Sequence, residues 1–452
     1  MKADSPFAFH FGILLTLTAI FSASTGCVKM EMRGGMIPHV GLEKKPPAPK
    51  TNRVKTTSFR EITQDWNQFR GPERNGDASK QNPPLNLSQA PSLCWQVSCG
   101  AGHSSIVTKG NLILTLEQQG NFEVLVARNF QDGKVAWQVS EKTRWDDMMS
   151  GEGPRSTPTI FGGKVFTLFS NGRLSCLEVE NGRVIWDIQT IEEGFDFPDW
   201  GLAGAPLIWK ELVILNLGGE DSAVQAYSSQ TGKLVWASKL TGRGVYLSPT
   251  IIELHGEEHL VAAVEGKVVG LDPEDGKTLW EKPWKIFLNN VQIAQPVALS
   301  NNSLLLAAGY GKGAECFTIQ PGTSLANYTV ESNWKSKNLK AKFSNPVFKN
   351  GYLYGLSENL LVCLEAKSGK LMWRGKKYGY GRVLACHDKI LLLGSTGVLS
   401  VIELNPDAFH EIYSGPLLND ARCWNGPALV NGYLIARNGE QMACFDLAAK
   451  PR

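Results

Sequence analysis

A short phrase recurs along this chain, and it constrains the fold more than any other feature of the sequence. A polar residue precedes Gly and then Lys or Arg, two residues follow, and a Trp comes next, as in Asp132-Gly133-Lys134 with Trp137. Five good copies, two degenerate copies and one earlier Trp form the series. The eight stations are Trp95, Trp137, Trp186, Trp236, Trp280, Trp334, Trp373 and Tyr413, separated by 42, 49, 50, 44, 54, 39 and 40 residues. Periods of this size are typical of one four-stranded propeller blade per repeat.

Each repeat has the internal pattern of four short strands. In the repeat at 156–187, turns at Gly162-Gly163 and Asn171-Gly172 separate short apolar runs. A third turn, at Asn181-Gly182, leads into the run that carries the Trp. Glycine at such turns permits the positive φ angles of tight hairpins. Because long helical patterns are absent, the sequence predicts an all-β fold.

The two ends of the chain indicate how the ring closes. After Tyr413 the sequence offers three further strands, within 427–447, and no fourth. The missing strand is predicted at Leu93 to Val97, around Trp95. We therefore predict an eight-bladed β-propeller of four-stranded antiparallel blades over residues 93–447, in which N- and C-terminal strands share one blade and leave no open sheet edge.

The first residues are typical of an export signal. Residues 1–26 hold one apolar run, from Phe7 to Phe21, which is too short for a membrane span. The following Ser24-Thr25-Gly26-Cys27 resembles a bacterial lipobox, whose Cys is lipidated and becomes the mature N-terminus. We predict a lipoprotein signal peptide, lipidation of Cys27 and a place on the periplasmic face of a membrane. Val28 rather than Asp follows the Cys, which favours the outer membrane; an ordinary cleaved signal or an uncleaved anchor is the alternative.

Two segments separate this signal from the propeller. Residues 27–64 are interpreted as the lipidated Cys and a disordered linker, because Pro and basic residues occur there without apolar periodicity. Residues 65–92 are interpreted as a strap whose Trp66 and Phe69 dock on the ring. Residues 448–452 are expected to form a short tail.

The Gly-Lys-x-x-Trp phrase resembles the repeat of the pyrroloquinoline-quinone (PQQ) propellers, the quinoprotein alcohol dehydrogenase-like superfamily. Within it, the chain is similar to BamB-like exported lipoproteins, which assist outer-membrane protein assembly. The resemblance implies either such a scaffold or a PQQ-dependent oxidoreductase that uses calcium. The dehydrogenases carry an adjacent Cys-Cys pair, a carboxylate and amide set for calcium, and long insertions. This chain has no Cys-Cys dipeptide and its repeats are compact. The resemblance therefore favours the scaffold over the enzyme.

The repeated Trp residues are interpreted as structural. Because they recur in blade after blade, each is expected to pack between neighbouring blades rather than to hold a cofactor. This set comprises Trp95, Trp137, Trp186, Trp236, Trp280, Trp334 and Trp373. A small residue is expected at one position of every third strand, and we expect no disulfides among the Cys found there. The position is filled by Ala127, Cys176, Ala226, Gly270, Cys316, Cys363, Val401 and Cys444.

Two further segments resemble a zinc-binding motif and a phosphate-binding motif, but their sequence context does not support either function. His255-Gly256-Glu257-Glu258-His259 matches the letters of a zinc peptidase motif, but that chemistry needs a helix, and here a hairpin turn is predicted. Gly276-Lys277-Thr278 lacks the earlier Gly of a phosphate loop. We therefore predict no catalytic, cofactor-binding or metal-binding residues.

The remaining candidate site is the loop face. In a propeller, the link from the last strand of one blade to the first strand of the next passes over one face near the channel. Positions counted back three residues from the Pro that opens most blades fall on these links, and aromatic and basic residues are frequent at or beside them. The candidate binding rim consists of His103, Arg155, Trp200, Tyr246, Phe343, Tyr380, Arg382 and Trp424. Aromatic residues and Arg are common anchors of binding sites.

Three functions follow from this sequence. The first is a monomeric, non-catalytic scaffold that binds a protein or peptide partner on its loop face, in outer-membrane protein assembly. The alternatives are a PQQ-dependent oxidoreductase and a small-molecule or polysaccharide binder at the aromatic channel mouth. The rim residues could instead simply plug the channel. A net charge of +3 gives no indication of nucleic-acid binding.

Overall fold

The computed structural model describes residues 59–448 apart from 86, 288–291 and 323–327. It also describes the backbone of three strands before residue 59, namely Val28–Arg33, Ile37–Leu42 and Asn52–Arg53. The predicted signal peptide and Cys27 lie outside the described residues.

The described chain forms an eight-bladed β-propeller, as the sequence predicts. Seven blades are contiguous in sequence, and each pairs its four strands antiparallel and in chain order. Blade 1 consists of Val107–Lys109, Leu112–Gln119, Phe122–Asn129 and Val135–Glu141, and blade 2 of Thr159–Phe161, Lys164–Leu168, Arg173–Glu178 and Val184–Gln189. Blade 3 consists of Leu207–Trp209, Leu212–Asn216, Val224–Ser228 and Leu234–Ala237, and blade 4 of Thr250–Leu254, Glu257–Val264, Lys267–Leu271 and Thr278–Pro283. Blade 5 consists of Val297–Ala298, Ser303–Ala308, Gly313–Pro321 and Tyr328–Ser336, and blade 6 of Val347–Lys349, Tyr352–Ser357, Leu360–Glu365 and Leu371–Lys377. Blade 7 consists of Arg382–Cys386, Lys389–Leu393, Val398–Glu403 and Glu411–Pro416. The first strand of a blade lies innermost, and the first strands contact one another between blades 1 and 2, blades 2 and 3, and blades 6 and 7.

Blade 8 is the predicted composite. Its inner strands are Ala428–Val430, Tyr433–Arg437 and Gln441–Asp446, and Ser92–Ser98 from the other end of the chain is the fourth. Asn52–Arg53 pairs with Ser92–Ser98 as a fifth strand. Two small hairpins lie outside the blades, Val28–Arg33 with Ile37–Leu42 and Asp146–Asp147 with Gly151–Glu152. Among the described residues, the sole helical segment is the 3-10 turn Ser79–Gln81, and no helix there is long and apolar enough to cross a membrane.

The Trp phrase works as a joint between blades. Trp95 of blade 8 lies on Gly133 of blade 1, where a Cβ atom would come within 2.7 Å of the indole. The same indole donates a hydrogen bond of 2.8 Å to the carbonyl of Phe130. Four further pairs repeat the contact: Trp137 with Gly182, Trp186 with Gly232, Trp236 with Gly276, and Trp334 with Gly369. The Gly of each phrase therefore has two roles, a positive φ for the turn and a flat surface for the Trp of the preceding blade.

The small residue of each third strand lies opposite its Trp. Cys176 pairs with Trp186, and Val401 pairs with Tyr413, the degenerate station. All eight predicted positions have this register. The eight cysteines of the described residues are free thiols, and all but Cys99 are buried. Cysteine acts at this position as a small apolar residue beneath an indole.

Blade 4 departs from this pattern. The indole of Trp280 donates to Nδ1 of His259 in its own blade, at 3.0 Å, and its ring covers Gly270. Blade 5 has no Gly-Lys-x-x-Trp turn to receive it. His255 and Gly256 form the turn between two strands of blade 4, with φ angles of 54° and 81°. The predicted hairpin turn is confirmed, and His259 has a structural role as a hydrogen-bond acceptor.

Substitution Gly270→Ala is expected to lower the free energy of unfolding by about 1–3 kcal/mol, the usual cost of overpacking a core. A Cβ atom at this position would lie 2.1 Å from the Trp280 ring, so the ring must move. Urea denaturation measures the effect. The matched control is Ala226→Cys at the same position of blade 3, where Cys is the residue used by four other blades; it is expected to cost less than about 1 kcal/mol. Equal losses for the two variants would contradict this account.

The segment before the propeller packs on the ring. Phe59 stacks on Tyr433, with ring centroids 5.2 Å apart, and Arg60 forms an ion pair of 2.7 Å with Asp446. Residues 59–64, which the sequence analysis placed in the linker, thus contact blade 8. The packed segment begins before the predicted strap boundary at residue 65.

The strap crosses the channel. Trp66 and Asn67 accept backbone hydrogen bonds from Thr108 of blade 1 and Ile160 of blade 2. Further along, Gly76 and Ala78 exchange hydrogen bonds with Ala385 of blade 7. Blades 2 and 7 are three blades apart in the ring of eight, so the strap that joins their innermost strands passes over the channel. It lies towards the ends of these strands, on the face opposite the inter-blade links.

Two arginines tie the strap to the sides of the channel. Arg70 donates hydrogen bonds to the carbonyls of Arg74 and Pro346, at 3.2 and 3.1 Å. Arg74 donates to the carbonyls of Pro206 and Ala205, at 3.1 and 3.3 Å. The side chains bridge from the strap to blades 6 and 3. The strap therefore closes the channel on one face.

Candidate ligand-binding well at the loop face

The links between blades surround a cavity at the other end of the channel. Its volume is about 850 Å³, including its open mouth. Seven of the eight rim residues predicted from sequence border it, namely His103, Arg155, Trp200, Tyr246, Phe343, Arg382 and Trp424. Tyr380 does not border the cavity, but its ring contacts Phe343 at 5.2 Å. Phe69 of the strap borders this cavity and a smaller one beside Trp66 and Arg70, so it lies at the base. We call the larger cavity the well.

Aromatic rings form a continuous series around the well. Trp200 stacks on Tyr246 at 5.2 Å and contacts Phe343 edge-on at 6.2 Å. Phe343 stacks on Trp424 at 4.8 Å, and Trp424 contacts His103 at 5.2 Å. Trp200 precedes blade 3 and Phe343 precedes blade 6, so their contact joins two sides of the mouth. Fixed aromatic walls of this kind suit apolar or aromatic ligand groups.

A ring of polar side chains below the aromatic series was missed by sequence reasoning. The side chain of the residue just before the opening Pro of a blade accepts a hydrogen bond from the link of the neighbouring blade. The hydroxyl of Thr157 accepts from the backbone N–H of Ser105, and that of Ser248 accepts from the backbone N–H of Ala205. The backbone N–H of Gln295 donates to Asn345 in the same way, at 2.7 Å. The recurring polar residue before Pro was a readable signal. These hydrogen bonds fix the links against one another and stiffen the well.

The well is positively charged at its base. Arg382 donates Nε to the carbonyl of Trp424 at 2.6 Å, and its Nη1 to the carbonyl of Phe343. Burial lowers the pKa of Arg382 to about 10 and that of Arg70 to about 9, and the charge of Arg382 contributes to the lowering at Arg70. Both guanidinium groups remain protonated at neutral pH. Arg155, also at the well, is paired with Asp147 at 2.9 Å.

His103 is held neutral at the edge of the well. Burial lowers the pKa of His103 well below its ordinary value, and the nearby charges of Arg155, Arg422 and Arg382 lower it further. The hydrogen bond with the Ser150 carbonyl opposes this shift. Nε2 lies 2.7 Å from that carbonyl and must carry the proton, so Nδ1 is a hydrogen-bond acceptor. This Nδ1 is buried and has no hydrogen-bond partner among the residues that the structure describes.

The free energy of unfolding is expected to fall as the pH drops below about 6.5, because the unfolded chain protonates His103 and the native protein does not. Substitution His103→Gln is expected to reduce this dependence. Urea denaturation at about pH 7.5 and about pH 5 measures it in both proteins. Part of the dependence should remain, since burial also lowers the pKa of His259. Identical pH dependence in the two proteins would contradict the assignment of His103.

Two long links build up one side of the mouth. The Asp146–Asp147 and Gly151–Glu152 hairpin places Met148, which is 80% exposed, and Met149, which borders the well. Trp145 contacts Phe197 of the next link at 5.7 Å, and Phe197 contacts Phe195 at 5.1 Å. These aromatic residues hold the two links together, so the exposed methionines stand on a supported surface.

The well does not fit a calcium-dependent quinone. None of the described residues that border it is Asp or Glu, whereas calcium takes carboxylate and carbonyl oxygens. Within the described residues, no group of three or more His, Cys, Asp or Glu side chains could hold a metal ion. The donor set of the well is instead basic and aromatic.

These features define a class of protein, a propeller of PQQ-like repeats whose channel is closed on one face and carries an aromatic, basic well on the other. The family model described as outer membrane protein assembly factor BamB matches residues 91–196 and 120–374. The chain therefore belongs to the BamB family of PQQ-like propellers.

The curated relatives include both branches of the superfamily. The chain is 25% identical to outer membrane protein assembly factor BamB of Yersinia pestis over 293 residues, which cover 61% of this chain and 66% of the relative. It is 35% identical to quinohemoprotein alcohol dehydrogenase ADH IIB of Pseudomonas putida over 247 residues, which cover 48% of this chain and 34% of the enzyme. The match thus spans about two thirds of the first relative and one third of the second.

Solved structures show the same fold. BamB from Moraxella catarrhalis superposes with a TM-score of 0.56 at 14% identity, covering 79% of this chain and 99% of that one. Quinohemoprotein alcohol dehydrogenase from Comamonas testosteroni superposes with a TM-score of 0.61 at 13% identity, covering 86% of this chain and 82% of the enzyme. At sequence identities this low, the similarity to these structures shows a shared fold alone.

Proposed function

We propose that this protein is an exported, non-catalytic scaffold that binds a protein or extended peptide at the well, in the assembly of outer-membrane proteins. The observation that carries the proposal is the continuous aromatic series from Tyr246 to His103 around a cavity closed at its base. Rigid aromatic residues around a pocket are typical anchors for partner side chains. The family to which the chain belongs supports the biological setting.

The charge of the well also favours binding over oxidation chemistry. An oxidoreductase of the PQQ type needs a metal and a carboxylate beside the quinone, and the residues bordering the well include no carboxylate. The strap places Phe69 at the base of the channel. What remains is a pocket with an open mouth and aromatic walls, which suits apolar side chains of a partner.

A photocrosslinking experiment tests the proposal. A photoreactive amino acid is placed at the exposed Met148 beside the well and, as a matched control, at the exposed Glu211 on the opposite face. A urea-denatured outer-membrane β-barrel protein is diluted into buffer with each variant. We expect crosslinks from position 148 and not from 211, and their loss on Phe343→Ala. Equal crosslinking from both faces, or none from position 148, would count against the proposal.

We further propose that Cys27 is lipidated and anchors the protein to the periplasmic face of the outer membrane. The support is the Ser24-Thr25-Gly26-Cys27 sequence after a short apolar run. Labelling with radioactive palmitate is expected to mark the wild-type chain and not Cys27→Ala. Label that persists in the variant would refute the anchor.

A further inference from the structure

Positive charge at and behind the base of the well has no negative partner among the described residues. Arg382 borders the well, Arg70 borders the smaller cavity behind it, and Arg74 is buried in the strap. Arg70, Arg74 and Arg382 form no ion pair among the described residues, and every acceptor of Arg70 and Arg382 is a backbone carbonyl. Two other buried arginines have carboxylates, since Arg128 pairs with Glu117 and Arg155 pairs with Asp147. Arg437, away from the well, is satisfied instead by four carbonyl and hydroxyl oxygens. A buried charge without a counter-charge is costly. An anionic group entering the well would offset that cost.

Two hydrogen-bond donors at the well are unused. The Nη2 group of Arg382 has no hydrogen-bond partner among the described residues, since only Nε and Nη1 donate. The indole Nε1 of Trp424 is buried, and it too has no partner. Arg382 donates to the backbone carbonyl of Trp424, so the two residues are in direct contact. Both residues border the well, and a carboxylate supplies the acceptor oxygens that these two donors lack.

An unused acceptor completes the set. Nδ1 of His103 is buried and unpartnered, and the His103 ring contacts that of Trp424 at 5.2 Å. Because Nε2 carries the proton, Nδ1 can accept an N–H from a ligand. Two donors and one acceptor match the carboxylate and the amide N–H of the last residue of a peptide. The aromatic walls formed by Trp200, Tyr246 and Phe343 match the side chain of that residue.

We propose that the well binds the C-terminal residue of a peptide, with its free carboxylate on Arg382 and Trp424 and an apolar or aromatic side chain between the rings. A well closed at its base by Phe69 admits a chain end and leaves no path for a chain to continue. The inference deepens the proposed function and rests on it, since it names the chemistry of the bound peptide.

Calorimetric titration of the full chain in detergent tests the inference. The probes are a short Gly-Ser peptide ending in Phe, as the free acid and as the C-terminal amide, and N-acetylphenylalanine as a small carboxylate. We expect the free acid to bind at least about tenfold more tightly than the amide, the factor that one charged hydrogen bond supplies. We also expect N-acetylphenylalanine to bind more weakly than the peptide acid. Equal affinity for acid and amide would overturn the inference and leave peptide binding at the loop face intact.

Variants locate the site. Trp424→Phe keeps an aromatic ring but removes the indole N–H together with the five-membered ring, and Arg382→Gln removes the charge; each is expected to weaken the acid about tenfold and to leave the amide unchanged. The matched control is Arg374→Gln, an exposed arginine on the outer strand of blade 6, which should bind like wild type. If neither Trp424→Phe nor Arg382→Gln weakens the acid, the assignment is wrong. N-acetylphenylalanine binding as tightly as the peptide would identify a small-molecule carboxylate site instead. If no probe binds, the inference fails, and the crosslinking experiment decides the proposed function separately.

Discussion

Replacement of Trp95 by Ala is expected to lower the free energy of unfolding by about 3–5 kcal/mol, the range for removing a large aromatic side chain from a core. Trp95 is 1% exposed, donates to the Phe130 carbonyl and lies on Gly133. It also pairs with Cys444 inside composite blade 8, where the two ends of the chain close the ring, and it joins blade 8 to blade 1. The substitution therefore removes a buried ring and weakens closure at the same place. Urea denaturation with an unchanged m-value measures the loss.

Trp137→Ala is the matched control for this prediction. Trp137 makes the same contact with Gly182 and the same type of hydrogen bond, to the Val179 carbonyl at 3.0 Å. It is only partly buried and lies between blades that are contiguous in sequence. Its loss is expected to cost less than that of Trp95. A larger cost at Trp137 would mean that ring closure does not depend on Trp95.

The blades could be predicted because their determinants are local and repeated. A Trp, a Gly turn and a small residue on the adjoining strand recur at a blade's period, and together they set the strand register. The composite blade followed from counting strands at the two chain ends. Trp280 shows where the pattern stops: its partner turn is missing in blade 5, and no repeat could indicate that His259 would accept its N–H.

The positions of the well could be predicted from topology, and its chemistry could not. Counting back from the opening Pro selects the links, and seven of the eight rim residues, chosen at or beside the counted positions, border one cavity. Tyr380 lies behind Phe343, because side-chain packing rather than chain position decides which ring reaches the cavity. Which donors stay unpaired, as at Trp424, depends on contacts between links distant in sequence. The binding role of the whole rim stays a prediction.

The path of the strap was beyond sequence reasoning. Docking of Trp66 and Phe69 was expected, but the crossing of the channel depends on contacts such as Arg70 with Pro346, 276 residues apart. No periodicity connects such positions, and a buried arginine is rare without a carboxylate partner. The boundary at residue 64 was misplaced for the same reason, since Arg60 pairs with Asp446 near the other end of the chain.

Replacement of Trp66 by Ala is expected to cost about 3–5 kcal/mol and to loosen the base of the well. Trp66 is 1% exposed, its ring packs on Gly71, and its backbone pairs with Thr108. Without the ring, the strap loses its anchor on blade 1. The amides of Thr108, Ile160 and Ala385, which donate to the strap, are then expected to exchange with solvent faster.

Hydrogen exchange distinguishes loosening of the strap from general destabilisation. The amide of Ser238 donates within blade 3, away from the strap, and reports global opening. If the strap loosens alone, the three strap-facing amides lose more protection than Ser238. Phe122→Ala, at a side chain that is 43% exposed on the ring, is the control and is expected to change stability by less than about 0.5 kcal/mol. Equal loss at all four amides would show that the strap and the ring open as one unit, so that the closed base of the well is as stable as the blades.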